Sequence, residues 1–499
     1  MSGATFLGID AGTTRIKAAL IDFEGNTIDI IGLPVPVMNP FDGACEINMN
    51  ALWEEFCVIT KELAKRNPEC FENIAGIGIT GQGDGMWPID KDGEPVRNAI
   101  LWNDTRTKYL TIKNIDKINE ACIKNCVTPI FAGGPNILLK WLQVNERENY
   151  DKTAWVLHCK DWLNYKLTGQ IKTDYSDAST ALINVFDKKY VWEIFDLLGL
   201  EDYERRFPDI VASTDIVGTV TKTASLKAGI KEGIPVIAGA LDIAAVGLGV
   251  GSNKIGDACT ILGTTLGNTI ILEKSQVDHS DTKGSALCHI IPENYIRLMG
   301  ALSGTSTLDW VRSILVPDMS FAEIEENIKC IPIGSEGVMY HPYIYGERAP
   351  FRNPFACGGF NGLNSRHNKY HMVRAAYEGL VLSLYDCYQS LPEVNDCVYV
   401  SGGGSESDFL CSMVADCLGK TILRSSIKEL GINGIVMTLK VGLGYTVDFS
   451  QHNVKSIDRF EPNMENHLKF QNIYRIFQNL KISMEGYWNE RANLLNSNS

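Results

Sequence analysis

Thr5 to Ile21 reads TFLGIDAGTTRIKAALI, two apolar-alternating runs around the polar turn Asp10-Ala-Gly-Thr-Thr14. Alternation at period two on both sides of a glycine-containing turn predicts a β-hairpin. Asp22 to Asn26 (DFEGN) reverses the chain again, so a three-stranded meander is expected to open the fold. Ala51 to Arg66 then has helical periodicity, and Ile74 to Thr80 (IAGIGIT) is a short strand that delivers Gly81 to Gly85 at its end. Ligands gather at the ends of such strands in α/β folds.

Further along, Asn145 to Asp209 is richer in aromatic and charged residues, with helical stretches such as Lys160 to Leu167. Gly233 to Gly251 (GIPVIAGALDIAAVGLGVG) is an apolar strand, a Gly-Ala turn to Asp242 and a helix of small residues, and is the expected domain crossover. Asp257 to Leu262 and Asn268 to Leu272 flank Gly263-Thr264-Thr265, so the second half repeats the strand, polar turn, strand theme of the first. Val398 to Gly404 (VYVSGGG) is a strand ending in three glycines before the helical pattern Ser407 to Leu418. At 499 residues more than one core is required. Two large domains are expected, over residues 1–246 and 247–499.

Composition narrows the function. Lys and Arg number 46 against 60 Asp and Glu, a net charge of −14 with no single acidic block, and this disfavours nucleic acid and anionic membrane as partners. The 14 cysteines include no CxxC pair and no zinc-type spacing, so reduced thiols are expected. No apolar run reaches the length of a membrane span, and the opening MSGATFLGID runs directly into a strand; a cytoplasmic protein is expected.

Several segments carry chemistry, each with a plainer alternative. Asp10, Thr13 and Thr14 suit phosphate handling, with Asp10 organising magnesium through water and the hydroxyls and turn N–H groups bonding phosphate oxygens; a Thr-rich hairpin turn would also explain them. GxxxxGK[ST] is absent from this turn. Gly263 and Thr264 could bring a second set of donors to the same phosphates, or form an ordinary turn. Gly402-Gly403-Gly404 lets a nucleotide approach backbone stripped of Cβ atoms. Asp242, in Gly239-Ala-Leu-Asp-Ile, is either a helix N-cap or a general base. Asn103-Asp104-Thr105-Arg106, after Trp102, is either a polyol-binding cluster or a salt-bridged surface turn. His158 and the other histidines lack triad spacing, and Ser401 lacks the GxSxG elbow, which disfavours serine hydrolysis.

In order along the chain these segments resemble the FGGY carbohydrate kinases. Gly8-Ile-Asp-Ala-Gly-Thr-Thr14 resembles the family's first phosphate loop, Gly78-Ile-Thr-Gly-Gln-Gly-Asp-Gly85 its sugar-contacting segment, and Ile100-Leu-Trp-Asn-Asp-Thr-Arg106 the form found in xylulose kinases. Thr173-Asp-Tyr-Ser-Asp-Ala-Ser179 is similar to a further family segment, Gly239-Ala-Leu-Asp242 to the one with the catalytic aspartate, and Leu262-Gly-Thr-Thr265 to the second phosphate loop. Pro342-Tyr-Ile-Tyr-Gly-Glu-Arg-Ala-Pro350 and Ser401-Gly-Gly-Gly404 resemble its C-terminal signatures.

The resemblance implies an α/β fold of two ribonuclease H-like domains, of the actin and hexokinase superfamily, with an interdomain active-site cleft. It implies ATP- and Mg2+-dependent phosphorylation of a small neutral sugar or polyol, a pentulose such as xylulose first, with erythritol or another polyol as the alternative. Asp242 would be the base; Gln82, Gly83, Asp84, Asn103 and Asp104 would face the sugar; Asp10, Thr13, Thr14, Gly263, Thr264, Gly304, Gly403 and Gly404 would serve ATP, Asp10 through magnesium. A homodimer is compatible with it. Many xylulose kinases have Met-His where this chain has Gly83-Asp84, and the Gly-Asp-Gly form resembles the L-xylulose and erythritol kinase branch. The rival from another class is an actin- or Hsp70-like ATPase switch, which shares the phosphate loops but needs neither base nor sugar pocket.

Overall fold

The computed structural model describes residues 3–449 and 457–497. The chain forms two compact units. The first runs to Asn253 and takes in Glu273–Ile296 and the segment starting at Glu429; the second is built from Lys254–Leu272, Arg297–Lys428 and the C-terminal segment.

In the first unit the opening meander forms as its alternation requires. β1 (Thr5–Ala11) pairs antiparallel with β2 (Arg15–Ile21), setting Asp10 opposite Lys17, and β2 pairs antiparallel with β3 (Thr27–Pro34). β4 (Ile74–Gly81) lies parallel to β1, with Asp10 level with Thr80 and Ala11 with Gly81. With β5 (Ile216–Thr219) and β6 (Pro235–Ile237) the order is β5-β6-β4-β1-β2-β3, and the two-residue β7 (Ala240–Leu241) pairs parallel with Thr80-Gly81 of β4. Leu7, Ile9, Ile77 and Ile79 are fully buried, as central strands covered on both faces require.

The helix Met49–Arg66 covers one face. Asn48 caps it by accepting from the Ala51 amide at 2.9 Å, and Leu52, Phe56, Ile59 and Leu63, spaced three and four apart, point into the core. Also in this unit, Asp242–Val250 and Leu430–Gly442 pack so closely that side chains are excluded. A Cβ on Gly249 would lie 2.0 Å from the Leu430 carbonyl oxygen, and one on Gly434 1.9 Å from that of Ala245.

The second unit repeats the theme. β8 (Ala258–Leu262) and β9 (Leu266–Glu273) form a hairpin in which Leu262 faces Leu266 across the turn Gly263-Thr264-Thr265, and β11 (Cys397–Ser401) runs parallel to β8. With β10 (Asn294–Ala301), β12 (Thr421–Ser425) and β13 (Ile457–Phe460), these strands lie in the order β10-β9-β8-β11-β12-β13.

The expected division at residue 246 falls inside the helix Asp242–Val250; the first continuous stretch of unit one instead ends at Asn253. A helix packs as one body, so a boundary belongs beyond its C-cap. The later returns of the chain to unit one leave no local pattern to read.

The helix contact generates a stability test. Gly249→Ala should lower stability by roughly 1–3 kcal/mol through overpacking, whereas Gly247→Ala, whose Cβ would meet nothing within 4 Å, should be neutral or slightly stabilising. Thermal melts of the two variants check this, and equal effects would contradict the contact.

Candidate active site

Three parallel strand ends meet in the first unit. β1 ends beyond Asp10, β4 ends at Gly81, and β7 ends at Leu241 immediately before Asp242. The Gln82 amide donates to the Ala11 carbonyl at 3.0 Å, fixing the loop after β4 against the end of β1. Thr13 Oγ1 donates to Gln82 Oε1 at 3.2 Å and accepts from Trp102 Nε1 at 3.1 Å. Thr14 is exposed at the turn, and its carbonyl accepts from Val35. Gln82 is 2% exposed; its Nε2 makes no geometrically close hydrogen bond among the described residues, and its side chain interacts with the Cys159 thiol. Asp84 has φ 54°, in the left-handed region that a non-glycine residue enters only when its surroundings impose it. The missing Cβ of Gly83 makes room for Leu241 Cδ1, 2.1 Å from where that atom would stand.

The charges around Asp242 are unbalanced. Its carboxylate Oδ1 accepts from the Ile243 amide at 2.7 Å, while burial, then the neighbouring Asp10, and further Asp177 and Asp84 push its pKa up to about 8. Burial also raises Asp10 to about 6; Lys17 opposes this, and Glu429, which Lys17 bonds at 2.8 Å, adds to it. Asp242 is therefore largely protonated at neutral pH when the site is empty, and an added positive charge would release that proton.

A carboxyl that binds its proton more tightly folded than unfolded makes the native state the greater proton binder between the two pKa values. Stability is then lost as pH rises from about 4 to about 8. Asp242→Asn removes this liability. The variant's melting temperature, measured without ligands, should exceed the wild type's by a margin that grows over that range; a margin independent of pH would contradict the raised pKa.

Asp104 is held in a buried ion pair. Its Oδ2 accepts from the Cys45 amide at 2.7 Å and from Arg106 at 2.8 Å, and its Oδ1 accepts from the Arg106 amide at 2.8 Å. Arg106 is 1% exposed and also bonds Glu46 at 2.7 Å. This cluster is a buried ion pair in which both Asp104 oxygens accept hydrogen bonds from the protein. Asn103 is exposed.

In the second unit, the Gly304 amide donates to the Thr264 carbonyl at 3.0 Å and the Thr305 amide to the Gly263 carbonyl at 2.8 Å. A Cβ on Gly304 would lie 2.4 Å from the Gly263 carbonyl oxygen, so its glycine is explained by packing. The three glycines after β11 have different reasons. Gly402, exposed, has φ 84°; a Cβ on Gly404 would meet Thr305 Cγ2 at 2.8 Å; Gly403, also exposed, is the one of the three with nothing within 4 Å of a Cβ. A 3-10 turn, Gly403–Glu406, separates them from the helix Asp408–Leu418, which Ser407 caps. Gly403→Val should therefore melt near the wild-type temperature while weakening ATP, whereas Gly404→Val should unfold at a clearly lower temperature. Melts and ATP titrations of both variants check this; unchanged ATP affinity in Gly403→Val would remove Gly403 from the nucleotide's surroundings.

Both halves of the chain match one family: residues 5–249 the N-terminal domain of the FGGY family of carbohydrate kinases, and residues 259–442 its C-terminal domain. The chain belongs to the FGGY family of carbohydrate kinases. Among its relatives, a xylulose kinase from Staphylococcus epidermidis is 30% identical, with 95% of each chain covered. An L-xylulose/3-keto-L-gulonate kinase from Escherichia coli is 28% identical, with 97% of each covered. The fold matches that of a ligand-bound xylulose kinase from Lactobacillus acidophilus with TM-score 0.91, at 21% identity and over 98% of this chain and 99% of that one.

As an FGGY kinase the chain has the two-domain α/β fold of the family and acts on small sugars with ATP as phosphate donor. Among the described residues no helix is long and apolar enough to cross a membrane. Sequence reading of this FGGY kinase missed the buried polar groups around Lys160, Asp174 and Ser176. Thr173 to Ser179 was conspicuous as a segment, but nothing local says that Lys160 would meet it.

Proposed function

We propose that this FGGY kinase phosphorylates a neutral open-chain sugar or polyol, a pentulose such as xylulose before a tetritol such as erythritol, with Asp242 as general base. The observation that carries this is Asp242 at a strand end, partly accessible, with its pKa raised to about 8 among Asp10, Asp84 and Asp177. Its carboxylate takes the proton of the substrate hydroxyl as that oxygen bonds to the γ-phosphorus. The bond from that phosphorus to the bridging oxygen breaks, and ADP leaves with the bond's electron pair. Gln82 Nε2 supplies a donor for a sugar oxygen, and Asp84 an acceptor for sugar hydroxyls.

Mg2+ fits this donor set. No three His, Cys, Asp or Glu among the described residues converge to cage a metal, but Asp10 offers a hard oxygen, and magnesium characteristically keeps waters and substrate phosphates as its other ligands. Bound there, it would neutralise phosphate charge and offset the crowding of carboxylates. Thr13, Thr14, Gly263, Thr264 and Gly403 are the groups we assign to the phosphates and nucleotide, and the reaction is expected in the cytoplasm.

Crowded carboxylates also set substrate charge. Repulsion by Asp84 and Asp177 favours a neutral substrate over an acid. The relative named for both L-xylulose and 3-keto-L-gulonate makes an acid the discriminating comparison.

ADP release across D-xylulose, L-xylulose, erythritol, glycerol and gluconate tests substrate and chemistry together. Turnover should require a neutral sugar or polyol, and Asp242→Asn should lower kcat by at least roughly 100-fold while leaving ATP affinity nearly intact. Efficient gluconate turnover would overturn the charge assignment, and near-wild-type kcat in the variant would overturn the base.

A further inference from the structure

The backbone that presents Asp242 leaves the sheet's regular ladder. After β6 the chain passes through Gly239 at φ 77°, where a Cβ would lie 1.9 Å from the Ile79 carbonyl oxygen, and β7 is only two residues long. Side chains from three other places in the first unit hold what the ladder does not. Asn164 Nδ2 donates to the Ala238 carbonyl at 2.8 Å, Thr80 Oγ1 donates to the Ala240 carbonyl at 2.7 Å, and the Leu241 amide donates to Ser176 Oγ at 2.9 Å. Asn164, Thr80 and Ser176 are all buried.

The last of these contacts has the most behind it. Ser176 Oγ donates in turn to Asp174 Oδ2 at 2.7 Å, and that oxygen also accepts from Ser213 Oγ at 2.7 Å and from the Ser176 amide at 2.9 Å. Asp174 Oδ1 stands 3.0 Å from Lys160 Nζ, which also faces Asp161 at 2.6 Å and Asp177 at 3.0 Å. Lys160, Asp174, Ser176 and Asp177 are 0% exposed. An apolar cluster of similar volume would stabilise a core at least as well as one lysine among three carboxylates. What the ionic cluster adds is direction, because each hydrogen bond fixes an angle as well as a distance. The chain of contacts from Lys160 through Asp174 and Ser176 ends on the peptide N–H of the residue immediately before Asp242.

We propose that Asp174, anchored by Lys160 and acting through Ser176, positions Asp242 for proton abstraction; the inference rests on Asp242 being the base. Neither Asp174 nor Ser176 need touch substrate: both are positioning residues whose effect falls on the chemical step.

The test is Ser176→Ala, which removes the hydroxyl and leaves Asp242 in place, with Asp242→Asn and wild type measured alongside. Misplacing the base lowers kcat by roughly 10-fold or more, while the sugar KM and the dissociation constant for ATP stay within about twofold. Wild-type kcat in Ser176→Ala, or a parallel loss of kcat, sugar KM and ATP affinity, overturns the positioning role. Substantial activity in Asp242→Asn overturns the base itself, so the two failures are separable. Should Ser176→Ala fail to fold, Ser213→Ala removes one of the bonds that orient Asp174 and keeps the Ser213 carbonyl, which accepts from the Gly239 amide at 3.1 Å. It is expected to lose kcat by roughly threefold with the same unchanged affinities, and an unchanged kcat there overturns the proposal.

Discussion

Burying several carboxylates at the ends of parallel strands is the constraint on which the first unit depends. Parallel alignment of β1, β4 and β7 sets Asp10 level with Thr80 and Ala240, and so brings it to the strand ends that Gln82 and Asp242 follow. The same alignment sets like charges close together where water is scarce, which is unfavourable unless protons or cations compensate. The protein meets this with Lys17 beside Asp10 and Lys160 among Asp161, Asp174 and Asp177, and among the described residues no ion pair forms on Asp242. Burial, with Asp10 beside it, then makes Asp242 a proton acceptor poised near neutrality instead of a spent member of an ion pair. Asp104, closed on Arg106, is the contrasting case in the same unit.

Much of this was legible in the residues. The alternation in Thr5 to Ile21 specified the hairpin, and the DFEGN turn specified the third strand, because period-two patterning and turn chemistry are local properties. The small residues after Asp242 were legible as a helix, and the structure shows its close packing at Gly249 and Gly434. The glycines of Ser401 to Gly404 were legible as a group but not singly. Only built geometry separates Gly402, which needs its φ, from Gly404, which makes room for Thr305, and from Gly403, which faces open space.

Long-range polar contacts were not legible. Asn103 to Arg106 could equally be a binding cluster or an ion pair, and only the folded chain shows Asp104 paired with Arg106. The Lys160 cluster joins residues from Cys159–Thr168, from Thr173 to Asp177 and from Ser213, and no periodicity marks such a meeting. The returns of the chain at Glu273–Ile296 and after Glu429 were missed for the same reason.

The central claim is that Asp242 works as a base whose proton affinity is raised by burial first and by its acidic neighbours after it. The pH dependence of kcat/KM for an accepted sugar tests it most directly, since that ratio reports groups of the free enzyme. An acidic limb should appear, with activity rising toward about pH 8, and it should move to lower pH in Asp84→Asn, which removes one of the charges that raise Asp242. A profile flat from about pH 6 to pH 9, or one that Asp84→Asn leaves in place, would contradict the account.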